Sequence, residues 1–274
     1  MTSSESPLTG SAALSAFGAH PVFLHAHPDD ESISTGGTIA ALRAAGVDVT
    51  VITGTRGEQG EVVPGPLAAL EGSPALGPHR VTELNIALAA LGGPAHHFLG
   101  STPARMANRP DREYADSGMR WAASGFAEAA GDAADDSLSL SGLDEEFADL
   151  SATLPHGITA VVGYDALGGY GHPDHVRMHE LGLRTAREGA LPYFAIVEPR
   201  VPDGAAESAS GPAPSVEDVL RLDVTPQLAA KVAAMAAHAT QLTIDHSADG
   251  TPWFVLSGGQ RHPVGALEQY RRLL

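Results

Sequence analysis

The chain contains no cysteine, so disulfides and thiolate chemistry are both excluded. Lysine is almost as scarce: Lys231 stands alone among 16 basic residues, against 33 acidic ones, and the formal charge is -17. A surface of that sign repels phosphate backbones, and no Lys/Arg cluster provides a local exception, which argues against nucleic acid or an anionic membrane as partner. No apolar run approaches the ~20 residues of a membrane-spanning helix. The first twenty residues carry no Lys or Arg, so a secretory n-region is missing and the expected location is the cytoplasm. Two nucleotide- and acyl-transfer signatures are also missing: no G-x-x-x-x-G-K-[ST] loop and no G-x-S-x-G elbow occurs.

Hydrophobic residues make up 43% of the 274, enough for a substantial core. Residues 1–19 read as a flexible leader, and residues 20–274 as one domain. Val22 to Ala26 reads as a buried strand, Gly36 to Ala45 as a helix stopped by Gly46, and the alternating, β-branched Val47 to Thr53 as a strand. His79 to Leu91 has helical spacing, and Ala95 to Leu99 suits a third strand. Ala123 to Ser141 reads as an irregular surface excursion. Glu145 to Leu154 follows as a helix, Ile158 to Tyr164 as a buried strand, Val176 to Glu188 as a helix and Tyr193 to Val197 as an apolar run. Pro202 to Pro214 has loop composition. Leu220 to Val224 suits a strand, and Pro226 to Gln241 a helix opening on proline. Strands alternating with helices predict an α/β fold, a Rossmann-like, mostly parallel sheet with helices on both faces.

Two histidine-rich turns fall at predicted strand ends: His27-Pro28-Asp29-Asp30-Glu31, and His172-Pro173-Asp174-His175. Ligands of open α/β sheets bind beyond the carboxyl ends of the strands, so both turns can face one crevice. Imidazole and carboxylate suit zinc, and a catalytic site uses three protein ligands. His27 and Asp30, three apart across a turn, can reach one ion; His172 or His175 can supply the third ligand. Asp29 would then remain free to act as a general base. The structural alternative for the first turn is a Pro-Asp turn whose acid caps the next helix. The donor set also suits Fe²⁺, which admits a non-haem iron oxygenase, and a sugar-binding protein organised by a metal is a further alternative.

Ala26-His27-Pro28-Asp29-Asp30-Glu31, together with Gly169-Tyr170-Gly171-His172-Pro173-Asp174-His175, resembles the PIG-L (LmbE-like) family of zinc-dependent deacetylases. The likeness extends over most of residues 20–190 and to Ala237-His238-Ala239-Thr240-Gln241. It implies a Rossmann-like fold and removal of acetyl groups from N-acetylglucosaminyl compounds. By motif it implies His27, Asp30 and His175 as zinc ligands, Asp29 as base, His172 as a histidine that stabilises the oxyanion or protonates the leaving amine, Asp174 as its orienting partner, and Tyr170 as an oxyanion contact. Gly57 to Val62, Asp116 to Met119 and the second histidine motif are similar to the mycothiol-biosynthesis deacetylases that act on N-acetylglucosaminyl-inositol. The sister amidases of mycothiol conjugates carry proline where Gly171 stands and lysine near Ser34. The resemblance further implies Glu61, Arg80 and Asp116 as the lining of the sugar and inositol pocket. It departs over Leu191 to Val219, which is short, and before Glu145.

Other features are assigned structural roles. His25, inside an apolar strand, reads as a satisfied core histidine. Gly36-Gly37 reads as close packing of a turn beneath the metal site, with anion binding through backbone amides as the alternative. Asp132, Asp135 and Asp136 read as a solvated loop, since calcium-loop spacing is absent. His96 and His97 are given no role, and His238 is either a pocket residue or a buried structural histidine.

Overall fold

A computed structural model describes residues 14–123, 127–131, 133–197 and 219–274. Seven strands form the main sheet: β1 (Pro21–His25), β2 (Thr50–Thr53), β3 (Ala95–Phe98), β6 (Ala160–Gly163), β7 (Tyr193–Ile196), β8 (Val219–Asp223) and β12 (Leu267–Arg272), in the order β3-β2-β1-β6-β7-β12-β8. The first five run parallel, and β12 lies antiparallel to both its neighbours. β1 alternates between two cores. Phe23 joins Ile39, Leu42, Leu84, Leu88 and Ala234 on one face, while Val22 and Leu24 join Leu150, Met178 and Leu181 on the other. The helices α2 (Gly36–Ala44), α3 (Leu76–Ala90) and α6 (Leu228–Ala237) therefore cover the first face, and α4 (Leu143–Thr153) and α5 (Pro173–Gly189) the second. The central strands β6 and β7 are buried and apolar along their length, whereas β2 begins and ends on threonine and the edge strand β3, Ala-His-His-Phe, is only partly buried.

The helix and strand positions follow the sequence pattern closely, with differences at the ends. α1 (Asp30–Ser34) is a separate short helix ahead of α2. α5 begins three residues earlier than expected, with Pro173 in its first turn. Helix α6 ends at Ala237, so His238 to Gln241 lies beyond it. Phe17 is fully buried in the first core, so the chain already packs before residue 20. The excursion after Ala123 includes β5 (Ala127–Ala129), which pairs with β4 (Met119–Trp121), and the buried Leu138. Asp132 and the stretch Pro202 to Pro214 lie outside the described residues. Beyond Gln241, where the pattern suggested no element, β9 (Leu242–His246), β10 (Pro252–Leu256) and β11 (Arg261–Pro263) form a separate antiparallel sheet and β12 completes the main one. Among the described residues no helix is long and apolar enough to cross a membrane.

From β1 the chain proceeds to β2 on one side, and later places β6 on the other. The carboxyl ends of β1 and β6 thus flank the point where strand order reverses, the usual position of a ligand crevice in open α/β sheets. The first histidine turn follows β1, and the second follows β6 through the turn Gly168–Gly171.

Candidate metal centre

At this crevice His27, His172 and His175 are buried together, with metal-competent atoms mutually within 4.8 Å. Asp30 touches two of them. Its Oδ2 lies 3.5 Å from Nδ1 of His27 and 3.4 Å from Nε2 of His175. That oxygen also accepts the Tyr164 hydroxyl at 2.7 Å and the His27 amide at 3.0 Å, which fixes the carboxylate toward the histidines. The Tyr164 ring stacks on His175, centroids 4.1 Å apart. Tyr164 has no place among the residues singled out from sequence, although it ends the expected strand from Ile158; its position one residue past β6 is the signal that identifies it.

The fit to a cation rests on two observations. Among the described residues both ring nitrogens of His175 are buried without a hydrogen-bond partner, an arrangement that leaves an imidazole lone pair for a metal. Around His27, burial is outweighed by Asp116, Asp174 and Asp30, which hold its imidazole well above the usual range. The same crowd of carboxylates favours any positive charge placed there. Asp30 is held well below the carboxylate range: burial opposes this, but His175 and His27 prevail.

Asp29 departs from its neighbour. It sits at φ 103°, a left-handed conformation rare for a residue with a side chain. It occupies the N-cap position of α1 but makes no side-chain cap bond, so the capping alternative does not describe it. Instead its Oδ2 lies 3.3 Å from Nη2 of Arg80. Burial raises its carboxyl to about 6, with Arg80 opposing and Asp30 reinforcing the rise. Arg80 is itself buried and donates to the carbonyls of Gly57 and Pro28. Gly57, at φ 66°, lets the glycine turn close on the guanidinium: a Cβ there would lie 2.1 Å from Nη1.

His172 caps α5 in an unusual way, since its Nδ1 accepts the Asp174 amide at 3.2 Å. A neutral ring so bonded carries its proton on Nε2. Burial, with His27 and His175 nearby, lowers its pKa to about 2, so the ring is neutral. Asp174 donates its backbone amide to His172, and its carboxylate also lies within 4.8 Å of a nitrogen of that ring. That carboxylate accepts the amide of Ser117 at 3.0 Å and the Ser117 hydroxyl, and faces Nε2 of His27 at 3.2 Å. The side-chain hydrogen bond of Asp174 thus goes to His27, and Ser117, within the stretch Asp116 to Met119, joins the cluster through it. Asp116 is buried 3.7 Å from Nε2 of His27 and accepts the Gly118 amide.

Tyr170 is half-buried, its ring centroid 5.1 Å from that of His175 and 6.2 Å from that of His172. Glu61 is exposed and accepts the Ser257 hydroxyl at 2.7 Å, a partner in the loop after β10 rather than in the cluster. His25 is a buried core residue bonded to Thr35. The amides of Gly37 and Thr38 bind an anion, but an internal one: the carboxylate of Glu268, which also pairs with Lys231 at 2.7 Å. Close packing applies as well, since a Cβ on Gly37 would strike Val224 at 2.5 Å.

Residues 22–186 match the family model described as PIG-L: GlcNAc-PI de-N-acetylase. A 1D-myo-inositol 2-acetamido-2-deoxy-alpha-D-glucopyranoside deacetylase of Kineococcus radiotolerans is 42% identical, over 91% of this chain and 76% of the relative. A protein of the same name from Actinosynnema mirum is 38% identical over 91% and 90%. Among solved structures, the A40926 pseudoaglycone deacetylase superposes with a TM-score of 0.53 at 20% identity, covering 81% of each chain, a likeness of fold.

Proposed function

The chain belongs to the PIG-L family of GlcNAc-PI de-N-acetylases, metal-dependent hydrolases, and we propose that it hydrolyses the acetamide of N-acetylglucosaminyl-inositol, giving the free amine and acetate, in mycothiol biosynthesis. The observation that carries this reading is the division of labour between adjacent carboxylates. Asp30 is turned into the histidines and kept ionised, while Asp29 is turned onto Arg80 with its carboxyl raised to about 6. Two adjacent acids with separate tasks suit metal-assisted hydrolysis. The names of the relatives supply the substrate.

Zinc held by His27, Asp30 and His175 would supply Lewis acidity toward water and the acetamide carbonyl. The same donors suit Fe²⁺. Asp29 receives the proton of the attacking water; an acid near 6 is a useful base at neutral pH. Arg80 holds that carboxylate in place, and Asp174 fixes the His27 ring from behind, as carboxylates do for metal-binding histidines. Tyr170 donates its hydroxyl proton toward the developing oxyanion. His172, neutral with its proton on Nε2, donates a hydrogen bond to the same oxygen, while the proton taken up by Asp29 passes to the departing nitrogen. Asp116, buried beside His27, and Arg80 border the sugar. Glu61, on the surface with Ser257, would meet the part of the substrate farthest from the acetamide.

The test compares amine release from N-acetylglucosaminyl-inositol and from a mycothiol conjugate by the zinc-loaded protein. Release from the first supports the reading. Release mainly from the conjugate moves the protein to the amidase branch, and silence on both removes the mycothiol assignment.

A further inference from the structure

Trp121 is 61% exposed, although indoles are among the side chains that gain most from burial. It lies on β4, and the partner strand β5 packs against the Gly168–Gly171 turn and α5. An Arg120–Glu128 pair at 2.8 Å links the two strands across the hairpin. The indole is tilted 35° to the ring of Tyr170, centroids 5.7 Å apart. Tyr170 in turn lies 5.1 Å from His175. Rings thus step outward from the buried histidines, through half-buried Tyr170, to an indole largely in water.

Sugar and cyclitol rings carry hydroxyls at the edge and C–H groups on their faces. The edge is matched by hydrogen-bonding groups and the face by a flat apolar plane; burying that plane is favourable in proportion to area. With the acetamide at the histidines, the glucosamine ring falls beside Tyr170, and the group attached to it falls one ring farther out. We propose that Trp121 is a carbohydrate-stacking subsite, which takes the C–H face of the inositol ring or a comparable polyol aglycone. The inference rests on the deacetylase reading above, and assigns to the hairpin the discrimination between inositol-bearing and bare amino sugars.

Loss of such a contact removes binding shared by ground and transition states, so it raises KM and spares kcat. Trp121→Ala is expected to raise KM for N-acetylglucosaminyl-inositol about tenfold with kcat within about twofold, while Trp121→Phe stays within about threefold. On N-acetylglucosamine, which lacks the aglycone, Trp121→Ala and the native enzyme should share one kcat/KM. The chain has two tryptophans, so Trp253→Phe leaves Trp121 as the sole indole. Its emission in the zinc-loaded protein should change saturably with glucosaminyl-inositol and stay constant with glucosamine. An unchanged KM for the inositol substrate, or an equal loss on both substrates, overturns the subsite while leaving the deacetylase reading in place. A native enzyme that releases amine from neither substrate overturns both.

Discussion

Nε2 of His238 lies 2.8 Å from Oε1 of Glu31, and both side chains are fully buried. The other oxygen of Glu31 accepts the amide of Asp29 at 3.0 Å. The residue after α6 is thereby connected to the backbone that carries the proposed base in its left-handed conformation. A strained non-glycine residue of this kind costs on the order of 1–3 kcal/mol and persists only where its surroundings hold it. The histidine is accordingly structural, one bond removed from the centre.

Replacing His238 by Leu removes the imidazole partner of a buried carboxylate, which then keeps only the Ser32 hydroxyl and the Asp29 amide among the described residues. The expected loss is about 3–5 kcal/mol in urea unfolding. His238→Gln, which can return a donor near the same place, should lose less than half of that. A Leu variant within about 1 kcal/mol of the native protein would contradict the pairing.

Asp29→Asn should keep its metal and lose about 10²–10⁴-fold in kcat. Since the base must be unprotonated, kcat/KM of the native enzyme should fall as pH drops through about 6, the position to which burial raises this carboxyl. Near-native turnover of the variant, with metal content measured alongside, would remove Asp29 from the mechanism.

Tyr170→Phe deletes the hydroxyl of a half-buried ring that lies beside the histidines. A lost oxyanion donor typically costs around 10²–10³-fold in kcat. An unchanged rate would count against that role.

The histidine motifs were legible because each follows a strand that the apolar pattern marks, and because strand order brings β1 and β6 side by side. Chemistry at strand ends survives errors of a residue or two in the strands themselves. Ser117 and Glu31 act through contacts made between distant segments, and nothing in their local pattern announces it, whereas Tyr164 is marked by its place one residue past β6. Glu268 is the sharpest case. It caps α2 from 230 residues away, so the anion at Gly37 and Thr38 could not be told from an external ligand until β12 was in place. The C-terminal strands are short and broken by Gly258-Gly259; β9, β11 and β12 are rich in polar residues, whereas β10 is an apolar run, and their order comes from pairing.

A pH dependence of stability resides in Glu146. It is fully buried, neither carboxylate oxygen has a hydrogen-bond partner among the described residues, and Arg177 is 3.7 Å away. Burial raises its carboxyl from 4.5 to about 7, with Arg177 opposing. The folded state therefore binds this proton more tightly than the unfolded one. The contribution is fully present below about 4.5 and is lost as pH rises through about 7. Glu146→Gln should remove this slope and be more stable than the native protein at pH ~8, by roughly 1–3 kcal/mol. Parallel pH profiles of the two proteins would contradict the assignment.

The central claim is a metal-dependent deacetylase centred on His27, Asp30 and His175. The most direct measurement is acetate released from N-acetylglucosaminyl-inositol by chelator-stripped protein, titrated with zinc. The account predicts no turnover without metal, and full turnover at one zinc per chain, lost in His175→Ala. Turnover that survives stripping, or that zinc restores equally in His175→Ala, would contradict it.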